Sequence, residues 1–339
     1  MTRVLVTGGA GFIGSHIVDF LLNKDCSVTI IDDFSSGREA NLVKARQLAT
    51  QKSLEFKIIK SSIVDKSLWE QLEAHDYLFH IAAQTSVTVS VQQPQKDYSI
   101  NIETIPMIME WVIKNKVKGV FYTNTAGALY GNPSTFPTPE NYFPEPQAPY
   151  GATKSFFETY FSAMTAARKS ASLWSSDMKQ DNGFTWCSMR LGNVYGPRQI
   201  TKGEAGVIPI FIELFEQEKT PKIFGDGSKT RDYVYVLDVV SAFEKSFEKV
   251  HVQKMAIDQG YNVGIQQEIK DQEVYDGVYQ SMSKLFPSKK LSEKPIYESI
   301  RPGEALRSCL LTDKLKKDLG WQAKMSFEEG VKQTVKAYF

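Results

Sequence analysis

The stretch VLVTGGAGFIG, residues 4–14, decides the fold. A short apolar run enters a turn with glycines at positions 8, 11 and 14, and an amphipathic segment leaves it. Each glycine has its own reason: Gly8 permits the tight turn, Gly11 lets the backbone approach a pyrophosphate, and Gly14 lets the helix pack close to the strand. The first turn of that helix, with Phe12 and Ile13, then faces the anion. About twenty residues on, the run SVTIID ends in Asp32 and Asp33, where an acid accepts the hydroxyl hydrogens of an adenosine ribose and repels a 2′-phosphate. The stretch therefore reads as a dinucleotide entry that favours NAD over NADP. The plainer alternative is a strand-turn-helix with solvent-facing acids.

Strand-like runs alternate with helical patterns through the first half: VLVTG, SVTIID, EFKIIK, YLFHIA, GVFYTNT and TWCSMRL. This order predicts an α/β fold, a doubly wound parallel sheet of Rossmann type with a smaller α/β C-terminal substrate lobe. After Arg190 the sequence turns rich in Gly and Pro, which sets the expected boundaries. Residues 1–190 with roughly 231–262 form the NAD-binding domain, and 191–230 with 263–339 form the smaller lobe. The polar stretch 165–183 reads as an extended surface loop.

With 339 residues, 42% hydrophobic and 23% charged, the chain has the composition of a globular protein. Forty basic residues against thirty-nine acidic ones remove any electrostatic case for nucleic acid or an anionic membrane surface. Three scattered cysteines and four histidines share no ligand spacing, so buried thiols and no metal are expected. No apolar run reaches the ~20 residues of a membrane span and no signal segment precedes the first strand, which points to the cytoplasm. In IPMIMEWVI (105–113) and SFFETYFSAM (155–164), Met107, Ile108, Met109, Trp111, Phe156, Phe157, Tyr160 and Phe161 cover more than one helix face. The surplus suggests a helix-mediated homodimer; the alternative is a roof of loops.

Tyr150 and Lys154, in YGATK, share one helix face by their i,i+4 spacing. The pair follows a Pro-rich loop after the strand GVFYTNT, whose C-terminal end belongs at a ligand crevice. A tyrosine near its ordinary pKa of ~10 is a poor base, and a neighbouring ammonium favours the phenolate. Lys154 is also placed to hold the nicotinamide ribose.

Together with FHIAAQTSV, Asn101 in SINIET, RLGNVYGPRQ, GEAGVIP, IFGDGSKTRDYVYV, YNVG and RPGEALRSCLLTDK, these motifs make the chain resemble the extended short-chain dehydrogenases/reductases of the NAD-dependent epimerase/dehydratase family, and within it the UDP-glucose 4-epimerases. The resemblance spans nearly the whole length. It implies NAD as cofactor, a UDP-hexose as substrate, and 4-epimerisation through a 4-keto sugar with the hydride returned to the other face. It implies a Ser or Thr completing the Tyr-Lys pair. Counting back from Tyr130 by the SSxxVYG pattern gives Ala126, which has no hydroxyl, whereas counting along the strand gives Thr125, and Thr125 is the choice. Otherwise Thr125 caps its own strand end. Ala126, Gly127 and Ala128 lack the acid that related dehydratases and decarboxylases carry there.

The resemblance further assigns Ser62, Ile63, Ala82, Ala83, Gln84 and Asn101 to the cofactor, with Ser62 standing where the family's GDxxD pattern has an aspartate. It assigns Arg231 and Arg301 to the diphosphate, Asn193 to a phosphate, Glu304 to ribose hydroxyls, and Val207 and Phe224 to the uracil walls. Ser308 falls at a gate that is small where N-acetyl sugars are admitted, and is otherwise a loop serine. The alternatives to a UDP-glucose or UDP-N-acetylglucosamine epimerase are a uronate epimerase, dehydratase or decarboxylase, or a binding protein without turnover.

Overall fold

The computed structural model describes residues 1–171, 183–201, 206–300 and 305–339. The chain begins β1 (Arg3–Thr7), α1 (Phe12–Asn23), β2 (Ser27–Asp32), α2 (Val43–Gln51), β3 (Phe56–Lys60), α3 (Lys66–Gln71) and β4 (Tyr77–His80). It continues α4 (Val87–Gln92), α5 (Pro94–Asn101), α6 (Thr104–Lys114), β5 (Gly119–Thr125), α7 (Ala126–Tyr130), α8 (Pro149–Ala171) and β6 (Thr185–Leu191). Then come β7 (Asn193–Tyr195), α9 (Val207–Glu216), β8 (Lys222–Phe224), β9 (Thr230–Arg231), β10 (Tyr233–Tyr235) and α10 (Val236–His251). The last elements are β11 (Gln259–Val263), β12 (Ile269–Lys270), α11 (Asp271–Leu285), β13 (Ile296–Glu298), α12 (Asp313–Leu319) and α13 (Phe327–Tyr338).

The chain divides into two compact units. The first holds Met1–Thr125, Ala148–Arg190 and Val240–Tyr261; the second holds Ala126–Gln147, Leu191–Val239 and Asn262–Phe339. Residues 126–147 and 231–239 thus cluster with the second unit.

The first unit is built on a seven-stranded sheet in the order β11-β6-β5-β4-β1-β2-β3. From β3 to β5 every pairing is parallel. Parallel strands covered on both faces need continuous apolar runs, and β1, β2 and β4 supply them, buried almost throughout. The strand order steps from β1 outward in both directions, so the ends of β1 and β4 flank the switch point at which α/β sheets bind ligands. Among its described residues the second unit has three two-stranded ribbons, β10-β7, β12-β9 and β13-β8, and a core of Tyr195, Phe211, Phe215, Tyr275 and Val331.

One expectation needs correction. The segment 165–183 is not wholly a loop: α8 runs on to Ala171, because TAARKSA is made largely of strong helix formers, and residues 172–182 lie outside the described ones. The apolar surplus of α6 and α8 is mostly spent within the chain, since Ile108, Met109, Trp111, Phe157 and Phe161 are buried in the first unit's own core. Met107, Phe156 and Tyr160 remain half-buried at its border. Cys26, Cys187 and Cys309 are all buried and outside any disulfide, and burial pushes the thiols of Cys26 and Cys309 up to about 11 and about 12. Among the described residues no helix is long and apolar enough to cross a membrane.

Candidate active site

The glycine turn lies between β1 and α1, and the fold imposes two of its three glycines. Gly8 has φ +70, and a Cβ there would stand 2.7 Å from the Ala82 nitrogen. A Cβ on Gly14 would meet the Gly8 carbonyl oxygen at 2.0 Å. Gly11 is different: its Cβ would touch only that same oxygen, at 3.2 Å, although Gly11 is the N-cap of α1. Helix α1 has no side-chain cap and no acid in its first turn, so its amide end is electrostatically suited to an anion. Gly11→Ala is expected to keep the fold and weaken NAD binding at least about tenfold, whereas Gly14→Ala is expected to destabilise the turn by roughly 2 kcal/mol or more. Calorimetric titration and thermal melts on the same two variants check both outcomes.

Asp32 closes β2 and is buried. Its carboxylate accepts the amides of Ala10 at 2.8 Å and Phe34 at 2.9 Å, which aims it at the glycine turn. Burial raises its pKa, and the two amides oppose that rise. Asp33 is exposed, with its carboxylate turned to the Ser35 amide. Of the pair, Asp32 is the one positioned beside the turn. Phe12 and Ile13, in the first turn of α1, are half-buried, as are Ser62, Ala82 and Ala83. Ile63 is buried and its carbonyl accepts the Trp69 indole N–H at 2.8 Å. The turn that a Cβ on Gly11 would narrow, the oriented acid at the end of β2 and the half-buried loop 82–83 fit a dinucleotide.

On the other side of β4, α8 lies over β5. The Tyr122 ring of β5 stacks on Phe157 of α8 at 3.8 Å between centroids, and Phe157 stacks on Phe161 at 4.1 Å. One turn before Phe157, the Lys154 side chain is carried over the same Tyr122 ring, with Nζ 4.0 Å from its centroid. Lys154 is 2% exposed, and desolvation lowers its pKa to about 7 while the nearby Asp97 charge opposes the fall. His80 stacks against Tyr122 at 5.6 Å and bonds the Thr7 hydroxyl through Nδ1 at 2.7 Å. Burial and the Lys154 charge drive His80 down to about 3, so it is neutral at physiological pH. Tyr150, in the first turn of α8, is half-buried and lies close enough to Tyr122 to contribute to that ring's raised pKa. Thr125 is the last residue of β5 and half-exposed, and Ala126, next in the chain, is fully buried.

Two buried clusters hold these groups, and sequence reasoning missed most of both. Asn101 and Gln84 are tied by exchange of bonds, Gln84 amide to Asn101 Oδ1 at 3.0 Å and Asn101 Nδ2 to Gln84 carbonyl at 2.9 Å. Both side chains also donate to Asp97. In the second cluster Glu158 of α8 accepts from Asn124 at 2.9 Å, from Ser188 at 2.7 Å and from Arg190. Burial would raise the Glu158 pKa, but Arg190, Ser188 and Asn124 hold it below the ordinary value. The available signal for Glu158 was its place in the series 150, 154, 158 on one helix face.

In the second unit, Asn193, Val207, Phe224, Arg231 and Ser308 all keep accessible surface. Backbone bonds bring three of them into one neighbourhood. The Asn193 amide donates to the Asp232 carbonyl at 2.7 Å, Thr230 donates to Leu306 at 3.0 Å, and Asp232 Oδ2 accepts the Leu310 amide at 3.0 Å. Asn193, Arg231 and the segment around Ser308 are thus strapped together. Asp232 also takes the amides of Ile265 and Gln266, yet burial raises it to about 6. Phe224 ends β8, beside β13, and Val207 opens α9. Arg301 and Glu304 lie outside the described residues.

A parallel sheet with a glycine turn after β1 and a Tyr-Lys pair on a helix over β5 defines a Rossmann-type short-chain dehydrogenase/reductase. A family model described as GDP-mannose 4,6 dehydratase matches residues 5–334, and the chain belongs to that family, the NAD-dependent epimerase/dehydratase enzymes. It is 36% identical to the UDP-glucose 4-epimerase of Mycolicibacterium smegmatis over 99% of this chain and 98% of the relative. Among solved structures, the Thermotoga maritima UDP-glucose 4-epimerase with UDP-glucose is 35% identical with a TM-score of 0.82, covering 99% of this chain and 98% of that one. A Methanobrevibacter ruminantium UDP-N-acetylglucosamine 4-epimerase is 30% identical, TM-score 0.83, over 99% and 98%. A Thermus thermophilus UDP-glucose 4-epimerase complexed with NAD is 32% identical, TM-score 0.80, over 99% of each chain. The family spans several reactions: a human dTDP-D-glucose 4,6-dehydratase is 28% identical over 99% of this chain and 89% of its own length. A Bacillus cytotoxicus UDP-N-acetyl-alpha-D-glucosaminuronate decarboxylase is 30% identical over 98% and 96%.

Proposed function

We propose that the protein is an NAD-dependent 4-epimerase of neutral UDP-hexoses, acting on UDP-glucose and UDP-galactose and on their N-acetyl forms. The observation that carries this reading is the i,i+4 spacing of Tyr150 and a buried Lys154 on one helix, in a chain whose residues 126–128 read alanine-glycine-alanine. The pair supplies a proton acceptor, and Ala126, Gly127 and Ala128 supply no acid for dehydration or decarboxylation. NAD, when bound, supplies the hydride acceptor and donor for C4 of the sugar. Tyr150 takes the proton of the 4-hydroxyl and later returns it, Thr125 hydrogen-bonds the same oxygen, and Lys154 favours the Tyr150 phenolate and holds the nicotinamide ribose. Gly11, the start of α1 and Asp32 hold the pyrophosphate and adenosine ribose, and Ser62, Ile63, Ala82, Ala83, Gln84 and Asn101 line the rest of the cofactor.

In the second unit, Arg231 and Arg301 bind the diphosphate with Asn193, Glu304 binds the ribose, and Val207 and Phe224 flank the uracil. Guanidinium forks suit phosphate oxygens. The small Ser308 admits an N-acetyl group. A homodimer is supported by Met107, Phe156 and Tyr160, left half-buried on adjoining helices.

The test is to incubate the purified protein with UDP-glucose and with UDP-N-acetylglucosamine, without added NAD, and to resolve the anomeric protons by NMR. Galacto-configured product from both is the expected result. No product from either, even with NAD supplied, overturns the reading; a keto sugar or a pentose moves the protein to the dehydratases or decarboxylases.

A further inference from the structure

Asp97 stands on α5, fully buried, with no part in binding a nucleotide sugar by the reading above. Its carboxylate is surrounded by donors. Oδ1 accepts Gln84 Nε2 at 2.7 Å and Asn101 Nδ2 at 3.0 Å, and Oδ2 accepts the Thr153 hydroxyl at 2.8 Å. Thr153 lies between Tyr150 and Lys154, next to the lysine in the first turn of α8, and its hydroxyl also lies 3.1 Å from the Tyr150 carbonyl. Asp97 therefore grips the turn that carries both Tyr150 and Lys154 from a different helix, 56 residues away in sequence.

A buried carboxylate is costly to bury, and three neutral donors offset only part of that cost. The Asp97 charge acts on Lys154 in the direction that keeps it protonated, against desolvation. The other groups facing Lys154 do not take this role. His80 of β4 is neutral, and the Tyr122 ring of β5 offers only its π face. Tyr150 of α8 carries a charge only as the phenolate that works as the base, and Glu158, also on α8, is committed to Arg190.

We propose that Asp97 is a positioning residue of the reaction, fixing the Tyr150–Lys154 turn through Thr153 and supplying the negative charge that keeps the buried Lys154 an ammonium. The inference rests on the epimerase reading for its kinetic half only. Without Asp97 the lysine loses its proton at lower pH, and the Tyr150 phenolate loses the cation that stabilises it. Activity then fails first on the alkaline side.

The experiment compares Asp97→Asn, Asp97→Glu and Thr153→Val with the parent as holoenzyme. Asp97→Asn is expected to lower kcat at least ~10-fold near pH 8 and to move the alkaline limb of the pH profile down by about one unit or more, with KM changed less than about threefold. Asp97→Glu is expected to recover much of the limb. Thr153→Val, which cuts the grip and leaves the charge, is expected to lower kcat without moving the limb. A second readout needs no turnover: thermal melts of the full chain at matched NAD occupancy, for Asp97→Asn in the parent and in a Lys154→Met background. Near pH 6 the substitution is expected to lower Tm more in the parent than beside Met, and near pH 9 the excess is expected to vanish as the lysine becomes neutral. Equal Tm losses in both backgrounds, or a folded Asp97→Asn enzyme with an unmoved alkaline limb, overturn the proposal. If the parent turns over no UDP-hexose, the epimerase reading fails by itself, and the melt cycle still decides whether Asp97 and Lys154 are coupled.

Discussion

Replacing Tyr150 by phenylalanine is expected to lower kcat by at least ~100-fold, the ordinary worth of a positioned general base. The substitution removes one oxygen from a side chain in the first turn of α8 that is half-buried rather than packed in the core. The helix itself is anchored further along, by Phe157 and Phe161 stacking and by Glu158. Melting temperature and NAD content should therefore stay near those of the parent while the rate collapses. On the proposed reading KM for the UDP-sugar should change little, because a general base acts in the transition state and not on the bound nucleotide. A Tyr150→Phe protein with the parental rate, followed by NMR of the sugar, would falsify the assignment of Tyr150 as the base.

Replacing Glu158 by alanine is expected to cost stability rather than chemistry alone, by about 3–5 kcal/mol, which is on the order of 10 °C in Tm. The size follows from what is left behind. Arg190 and Glu158 are each only 13% exposed at the side chain, so truncating the acid strands a guanidinium in the interior together with Asn124 and Ser188. Glu158→Gln should cost less, since an amide oxygen still accepts one of these donors. The pH dependence has a definite sign. Glu158 is held below its ordinary pKa in the folded protein, so its stabilising contribution is present above the unfolded-state value and is lost as pH falls through the folded one. Thermal melts of the parent and the Glu158→Gln protein between neutral pH and about pH 3 should therefore converge toward the acid end.

Much of the first unit was legible because its signals are local. The turn at Gly8–Gly14 and the pair Tyr150–Lys154 are defined by spacings of three and four residues, which a sequence displays directly. The run of buried strands announced a parallel sheet for the same reason. What escaped were groups whose meaning depends on distant partners. Asp97 is one acid in a polar stretch until α5 is placed against α8, and Glu158 is a helix acid until β5 and β6 bring Asn124, Ser188 and Arg190 to it. The edge strand β11, QGYNV, carries no strong apolar run, and its place beside β6 comes from the tertiary fold. Helices α6 and α8 show the converse limit. Their apolar excess was visible, but what covers it was not, and most of it turns inward on the aromatic ladder from Tyr122 to Phe161.

The three buried cysteines turn the protein into its own clock for breathing motions. A thiol that is buried and, for Cys26 and Cys309, pushed far above neutrality reacts with an alkylating reagent only in moments when its surroundings open. Cys26 and Cys187 belong to the first unit and Cys309 to the second. The unmodified chain thus carries separate timers for each half, so that mass spectrometry of alkylated peptides can say which half loosens first when cofactor or sugar nucleotide is withdrawn, with no label introduced.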